Sequence, residues 1–395
     1  MGKIMSSSRR VCTACVMDSF HPIITFDENG QCSCCKTAQP LITNSLFLRE
    51  EGEKRMRTLV ETLKRDGRGK RYDAVVGLSG GIDSAYLAHL LRTKYGLRLL
   101  AVHVDTGWNS EAAVRNIETI VRGLDIDLYT HVIEWAEMRD LQLAFLRSSV
   151  FNQDIPQDHA IAAILHTIPA ELSIGWLLSG MNLTSESVGI PGLGVSQTDL
   201  SHLRDIHKRF GSVELETFPT MSLPAYAWNT RIAKTVRFAR PLNYFNYDKE
   251  KAKAELSAVY RWADYGPKHS ESRWTKFYQD IYLPRKFGFD KRRMHLSSLI
   301  VSGQLTREKA LEKVALPALS QGEAQREIKF VAKKLAISSS ELEALMDAPE
   351  VSHYEYANQQ YLWTFFVYLG RIVEGVFARS RRVRGHLFRG AMQSS

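Results

Sequence analysis

The chain has 395 residues, 44% of them hydrophobic, and a formal net charge of +9. Such a length suits two or more cores, because domains usually hold about 100 to 200 residues. No run of about 18 uncharged apolar residues occurs, which argues against a membrane-spanning helix; the nearest, "YLWTFFVYLGRIVEGVFA" at 361–378, carries Arg371 and Glu374 and reads as a packed helix. The opening "MGKIMSSSRR" has neither an apolar core nor a cleavage pattern, so the expected place is the cytoplasm. Charge alone selects no partner, since a positive balance suits nucleotide substrates as well as nucleic acid, a membrane surface or an acidic protein.

Residues 1–45 contain all five cysteines, Cys12, Cys15, Cys32, Cys34 and Cys35. Two C-x-x-C knuckles sixteen residues apart match four thiolates on one tetrahedral ion. In a reducing compartment metal is favoured over disulfide. Cys12, Cys15, Cys32 and Cys35 are therefore expected to hold a structural Zn2+, with an iron–sulfur cluster as the alternative and Cys34 as a spare able to replace a neighbour. Between the knuckles, "ITFDENGQC" predicts a strand running into an Asn-Gly turn.

Residues 46–69 are charged and helix-prone, a connecting helix with a Gly-rich end. From 70 to 250 apolar strands alternate with amphipathic helices. Strands are predicted at "YDAVVGL", "RLLAVHVDT", "DLYTHVIE" and "GWLLSG", and helices at "SAYLAHLLRTKYG", "SEAAVRNIETIVRGL", "AEMRDLQLAFLRSSV" and "QDHAIAAILHTIPAEL". That alternation predicts an α/β fold with a doubly wound parallel sheet. Beyond about residue 182 it becomes hard to follow, and "TSESVGIPGLGVSQTD" reads as a loop. Residues 251–395 are expected to be mostly helical, with starts marked by Thr306 and by Ser338 with Glu341, and to end in a basic tail, "ARSRRVRGHLFR" at 378–389.

The joint "LSGGIDS" at 78–84 sits between the first strand and its helix. There, backbone N–H groups and the positive helix end form an anion cradle. Gly80 and Gly81 admit a phosphate close to the backbone, and Ser79 and Ser84 add hydroxyl donors. Asp83 would repel a phosphate, so it suits a helix cap or a magnesium ion bridging phosphates. Neither G-x-x-x-x-G-K-[ST] nor G-x-G-x-x-G is present.

S-G-G-x-D-S after a buried strand resembles the PP-loop of the ATP pyrophosphatase superfamily. The resemblance implies that ATP loses pyrophosphate, that a carbonyl or amide oxygen is adenylated, and that a nucleophile then displaces AMP. Three further stretches, "RVCTACVMD", "HVDTGWNSEAAVRNI" (103–117) and "YGPKHSESRWTKFYQDIYLPRKFGFDKRRMHLSSLIVSGQLTREKAL" (265–311), resemble the N-acetyl sugar amidotransferase family of bacterial surface-polysaccharide biosynthesis. This implies conversion of an N-acetyl group on a nucleotide-linked sugar into an acetamidino group. It also implies a separate glutaminase and a cyclase-like barrel, resembling the histidine-biosynthesis pair, as the ammonia source. The residues agree: a glutaminase needs a nucleophilic cysteine, yet residue 2 is Gly and no cysteine follows position 35. Ile82 and Thr106 depart from the lysine and asparagine usual in relatives.

Ser79, Gly80, Gly81, Asp83 and Ser84 are then expected to bind pyrophosphate and Mg2+, with Asn182 bordering the nucleotide. Asp105 is a candidate for ribose or metal or a turn cap, and Asp158 with His159 an acid–histidine pair that is either catalytic or capping. Lys268, His269, Glu271 and Arg273 are candidates for sugar or diphosphate, Arg273 by a bidentate grip; "KRRMH" at 291–295 serves the same anion or an acidic partner. A PP-loop tRNA-modifying enzyme is the alternative, and a zinc-bearing scaffold with an inactive loop is a third reading. Nucleic acid is not expected as a partner, and which sugar is modified is not legible.

Overall fold

The computed structural model describes residues 9–47, 49–190, 193–229, 235–266 and 270–361. Five parallel strands, β1 (Ala74–Gly77), β2 (Leu99–Asp105), β3 (Asp127–Val132), β4 (Trp176–Leu178) and β5 (Arg237–Ala239), lie in the order β3-β2-β1-β4-β5. The chain runs outward from β1 to β3 and then returns to the other side of β1 for β4 and β5. The reversal falls between β1 and β4, where an open sheet leaves a crevice at the carboxyl ends of its strands.

Successive residues of a strand face opposite sides, and both sides here are covered. Ala74, Val76, Leu99 and Ala101 pack with Leu87 and Leu91 of the helix Ile82–Thr93 and with Ile117 and Ile120 of Glu111–Leu124. Val75, Leu100 and Val102 face the other way, onto Leu141 and Phe145 of Trp135–Ser148, Ile164 of Ile155–Glu171, and Leu203 of Leu200–Phe210. The edge strand β3 is largely exposed. β5 and the helix Leu200–Phe210 were not expected from the sequence, because "RFA" is too short and too exposed to read as a strand.

Expected helix starts are present: Thr306 accepts from the Lys309 N–H and Ser338 from the Glu341 N–H. The reciprocal capping box belongs to Ser320 and Glu323, ahead of Gln321–Leu335. In the N-terminal module the expected strand is reduced to a single bridge, Phe26 to Cys32, around a turn with Gly30 at φ 78°, and the helix Ser33–Ser45 follows at once. The basic tail at 378–389 lies outside the described residues. Among the described residues no helix is long and apolar enough to cross a membrane.

The helical region is stitched into the sheet domain. Ser110 N–H donates to Glu271 O and Arg273 N–H to Trp108 O, each at 2.8 Å. Asn116, 2% exposed, pairs with both backbone groups of Ala263 at 2.8 and 2.9 Å and reaches Gly80 O at 3.5 Å. Asn116→Ala would strand a partly buried N–H and C=O, so it should lower the unfolding free energy by about 1–2 kcal/mol in urea titration.

Candidate active site

The turn after β1 is closed by its own side chains. Ser79 Oγ accepts from the Gly81 N–H at 3.2 Å, and Ser84 Oγ lies 3.3 Å from Ser79 Oγ and donates to Gly81 O at 3.1 Å. Gly80 has φ 82°, and a Cβ there would stand 2.5 Å from Ala113 O, so only glycine fits. At the end of β4, a Cβ on Gly180 would stand 2.7 Å from Ser84 N. The turn is thus held from both sides, with the first N–H groups of Ile82–Thr93 behind it.

Two tyrosines, Tyr247 buried and Tyr265 half-buried, complete this end. Tyr247 donates to Asp83 Oδ1, and Tyr265 Oη accepts from the Ile82 N–H at 3.2 Å. Burial raises both phenols above their ordinary range, Asp83 adding to the effect on Tyr247 and Glu271 on Tyr265, so both stay protonated. His103 is kept neutral by burial; its Nδ1 lies 2.9 Å from Leu78 O and its Nε2 3.0 Å from Asn109 Nδ2. Nδ1 therefore carries the proton and Nε2 accepts.

These groups open onto a cavity of about 790 Å³ at the reversal point. Its opposite wall comes from the start of Ile155–Glu171, from residues 186–190 and from the helical region, with Thr275, Tyr278, Phe289, Lys291, Met294 and His295. Asp154 and Asp158 stand one helical turn apart there. Asp154 accepts from Gln157 Nε2 and Thr275 Oγ1, both at 3.2 Å. Burial pushes its carboxyl well up, and Asp158 adds repulsion. Asp158 is pushed by burial up to about 6, with Lys291 pulling the other way.

Of the residues singled out in the sequence, Ser79, Gly81, Asp83, Ser84, Asp158 and Glu271 line this one cavity, and Gly80 backs it. Four do not. Asp105 braces the next turn, its Oδ1 accepting from Gly107 N–H at 2.8 Å and Asn109 Nδ2 at 2.9 Å. His159 has both nitrogens committed to backbone, Nδ1 to Gln197 O at 2.8 Å and Nε2 to the Met221 N–H at 3.2 Å, so it clamps two loops and does not pair with Asp158 at the cavity. Asn182 caps Leu183–Glu186. Arg273 grips Glu327 at 2.8 and 3.1 Å and lies over the Phe330 ring, which leaves its guanidinium to an internal carboxylate. Lys268 and His269 lie outside the described residues.

Sequence reasoning missed Asp154, Tyr247 and Tyr265. The i, i+4 spacing of Asp154 and Asp158 was a usable signal; the tyrosines carried none. "KRRMH" divides its work: Lys291, Met294 and His295 line the cavity, Arg292 pairs with Asp290 at 2.7 Å, and Arg293 with Asp18 of the cysteine module at 3.3 Å.

In that module Cys12, Cys15, Cys32 and Cys35 are buried, and their sulfurs all lie within 4.8 Å of one another. Backbone N–H groups of Ala14, Met17, Cys32 and Cys35 point at three of these sulfurs at 3.2–3.4 Å, a surrounding that suits thiolates. The four fit one metal ion; Cys34 is buried but outside the group.

An S-G-G-x-D-S turn at the carboxyl end of the central strand of this sheet defines a PP-loop ATP pyrophosphatase-type domain. Residues 271–369 match the family model of the LPS biosynthesis protein WbpG-like C-terminal domain, so the chain carries that domain. Over 135 residues it is 30% identical to an uncharacterized protein of Methanocaldococcus jannaschii, covering 32% of this chain and 47% of that protein, less than half of that relative's length. Among solved structures it is similar to NMN synthetase from Francisella tularensis (14% identity, TM-score 0.34, 77% of this chain and 99% of that one). It is also similar to the U34-tRNA thiolase NcsA from Methanococcus maripaludis with its 4Fe-4S cluster (17%, 0.32, 80% and 95%). A third is the NH3-dependent NAD synthetase from Campylobacter jejuni (14%, 0.31, 68% and 99%). The class rests on the turn and the sheet, not on these shallow overlaps.

Because Asp158 is harder to ionise folded than unfolded, its contribution favours folding below the ordinary carboxyl value of 3.8 and is lost as pH rises through about 6. The melting temperature of Asp158→Asn relative to the native chain should therefore climb between about pH 4 and pH 7 in thermal scans at stepped pH.

Proposed function

We propose that the chain is an ATP-dependent amidotransferase acting on an N-acetylated, nucleotide-linked sugar in surface-polysaccharide biosynthesis. The observation that carries this reading is that two parts line one cavity: the PP-loop turn, and residues within 275–295 of the segment that matches the WbpG-like domain.

The amide oxygen attacks the α-phosphorus of ATP, the bond to pyrophosphate breaks, and an O-adenylated imidate forms. Ammonia then adds to the imidate carbon. The C–O bond breaks, AMP leaves with the electron pair, and the proton shed by nitrogen leaves an acetamidino group. Adenylation turns a poor leaving oxygen into a good one. Ser79, Ser84 and the N–H groups of the turn hold the departing pyrophosphate. Asp83, oriented by Tyr247, is placed to hold Mg2+, which neutralises phosphate charge when bound.

Every cysteine sits in the N-terminal module and none lines the cavity, so ammonia is assigned to a separate glutaminase with a cyclase-like barrel. The metal in the module is assigned as Zn2+, because four thiolates close its shell and leave no open position for substrate.

The test uses the full chain with magnesium-ATP, a panel of N-acetylated nucleotide sugars and high ammonium. Release of AMP and pyrophosphate with an acetamidino product is expected; ADP formation, or AMP release that requires RNA, overturns the reading. Elemental analysis should find one zinc per chain, and iron with sulfide would favour RNA thiolation.

A further inference from the structure

Residues 186–190 have two faces with different neighbours. On one, Glu186, Val188, Gly189 and Ile190 line the cavity. On the other, Val188, 2% exposed, packs in the same apolar cluster as Cys12, Cys15, Cys32 and Cys35, with Ile190 and Met294 against it. Val188 is therefore both cavity wall and part of the core of the cysteine module.

The helix Arg292–Val301 joins the same two places. Toward the cavity segment, Ser298 Oγ accepts from the Val188 N–H at 3.0 Å, Ser302 Oγ donates to Thr184 O at 3.1 Å, and His295 Nδ1 lies 3.4 Å from Ser185 O. Toward the module, Ser297 Oγ accepts from the Val16 N–H at 3.3 Å, and Arg293 donates to Val16 O at 2.6 Å. Arg307 adds bonds to Cys12 O at 2.7 Å and Cys15 O at 3.0 Å, the carbonyls of the first knuckle. Beyond its cysteines the module's core is small, Met17, Ile24, Ala38 and Val188. A core of that size does not hold its shape without the metal, whose binding energy is its folding energy.

The PP-loop turn is fixed by other means. Its close approaches are to Ala113 and Gly180 and its buried tie is Asn116; Ala113 is outside the apolar cluster of the cysteine module, and a bond toward the helical region at this end runs from Gln304 to Tyr247 O.

We propose that the metal-loaded cysteine module is a structural part of the acceptor side of the cavity, so that metal occupancy governs the acceptor wall at 183–190 while the phosphate-binding turn stands independently. The assignment of that wall to the acceptor rests on the amidotransferase reading; the coupling between metal and wall does not.

Hydrogen exchange on the full-length chain tests the coupling, with metal content measured in parallel. In Cys32→Ser, metal is lost and amides at 183–190 should exchange about tenfold faster or more, while those at 74–93 keep their native protection. Ser298→Ala, which removes the anchor and keeps every ligand, should retain the metal and still loosen 183–190. Unchanged exchange at 183–190 after metal loss overturns the proposal, and so does equal loosening of 74–93, which would make the module a staple for the whole fold. Calorimetry with magnesium-ATP separates the two ideas: an unaltered affinity in Cys32→Ser is expected, and a loss overturns the independence of the turn. If the amidation assay is silent while exchange behaves as stated, the functional reading fails and the coupling stands.

Discussion

At the carboxyl ends of β1 and β4 the glycine-rich turn has no slack. Gly80 abuts the carbonyl of Ala113 and Gly180 abuts the first turn of Ile82–Thr93, so the loop can neither rise toward one helix nor slide toward the neighbouring strand. Such steric confinement is inexpensive where glycine removes the Cβ and costly anywhere else. The confined turn keeps its shape, with the Gly81 N–H satisfied by Ser79 Oγ and the Ile82 N–H by Tyr265 Oη. The rest of the cavity is arranged relative to that fixed edge.

The central strands and the turn were legible because their signals are local. Val75 and Val76 run straight into Ser79-Gly80-Gly81, and the four-cysteine spacing needs no tertiary information. The rest of the lining was legible only in part: Asp158, Glu271 and residues 291–295 stood out as candidates, but Asp154, residues 186–190 and residues 275–289 join them through the fold, being segments that no periodicity links. The same limit explains His159 and Arg273. Next to Asp158, or in a polar block, each has the composition of a site residue; only the fold shows that the partners are Gln197 and Met221 in one case and Glu327 in the other.

Residues 265–273 illustrate how a polar block serves a site without entering it throughout. Its backbone bonds to Trp108 and Ser110, through Asn109 and Ser272, fasten the helical region to the turn after β2. Only Tyr265, Glu271 and Ser272 of its described residues reach the cavity. One segment thereby sets the distance between the two walls, and the aromatic cluster of Trp108, Trp274 and Phe277 behind it makes that distance stiff.

Among the described residues the cavity carries the carboxyl groups of Asp83, Asp154, Asp158, Glu186 and Glu271 against one ammonium, that of Lys291. Arg273, Arg292 and Arg293, neighbours in sequence of the lining residues, are paired with Glu327, Asp290 and Asp18. A polyanion entering such a space would need a cation to come with it, which is the physical argument for the magnesium ion proposed at Asp83. Burial reduces the conflict further, since the raised carboxyls of Asp154 and Asp158 place less negative charge on the far wall than their number suggests. Asp83 and Glu271 lie at the turn itself while Lys291 lies with Asp154 and Asp158, so side-chain charge alone does not draw a polyanion to the turn; a cation held at Asp83 would supply that attraction.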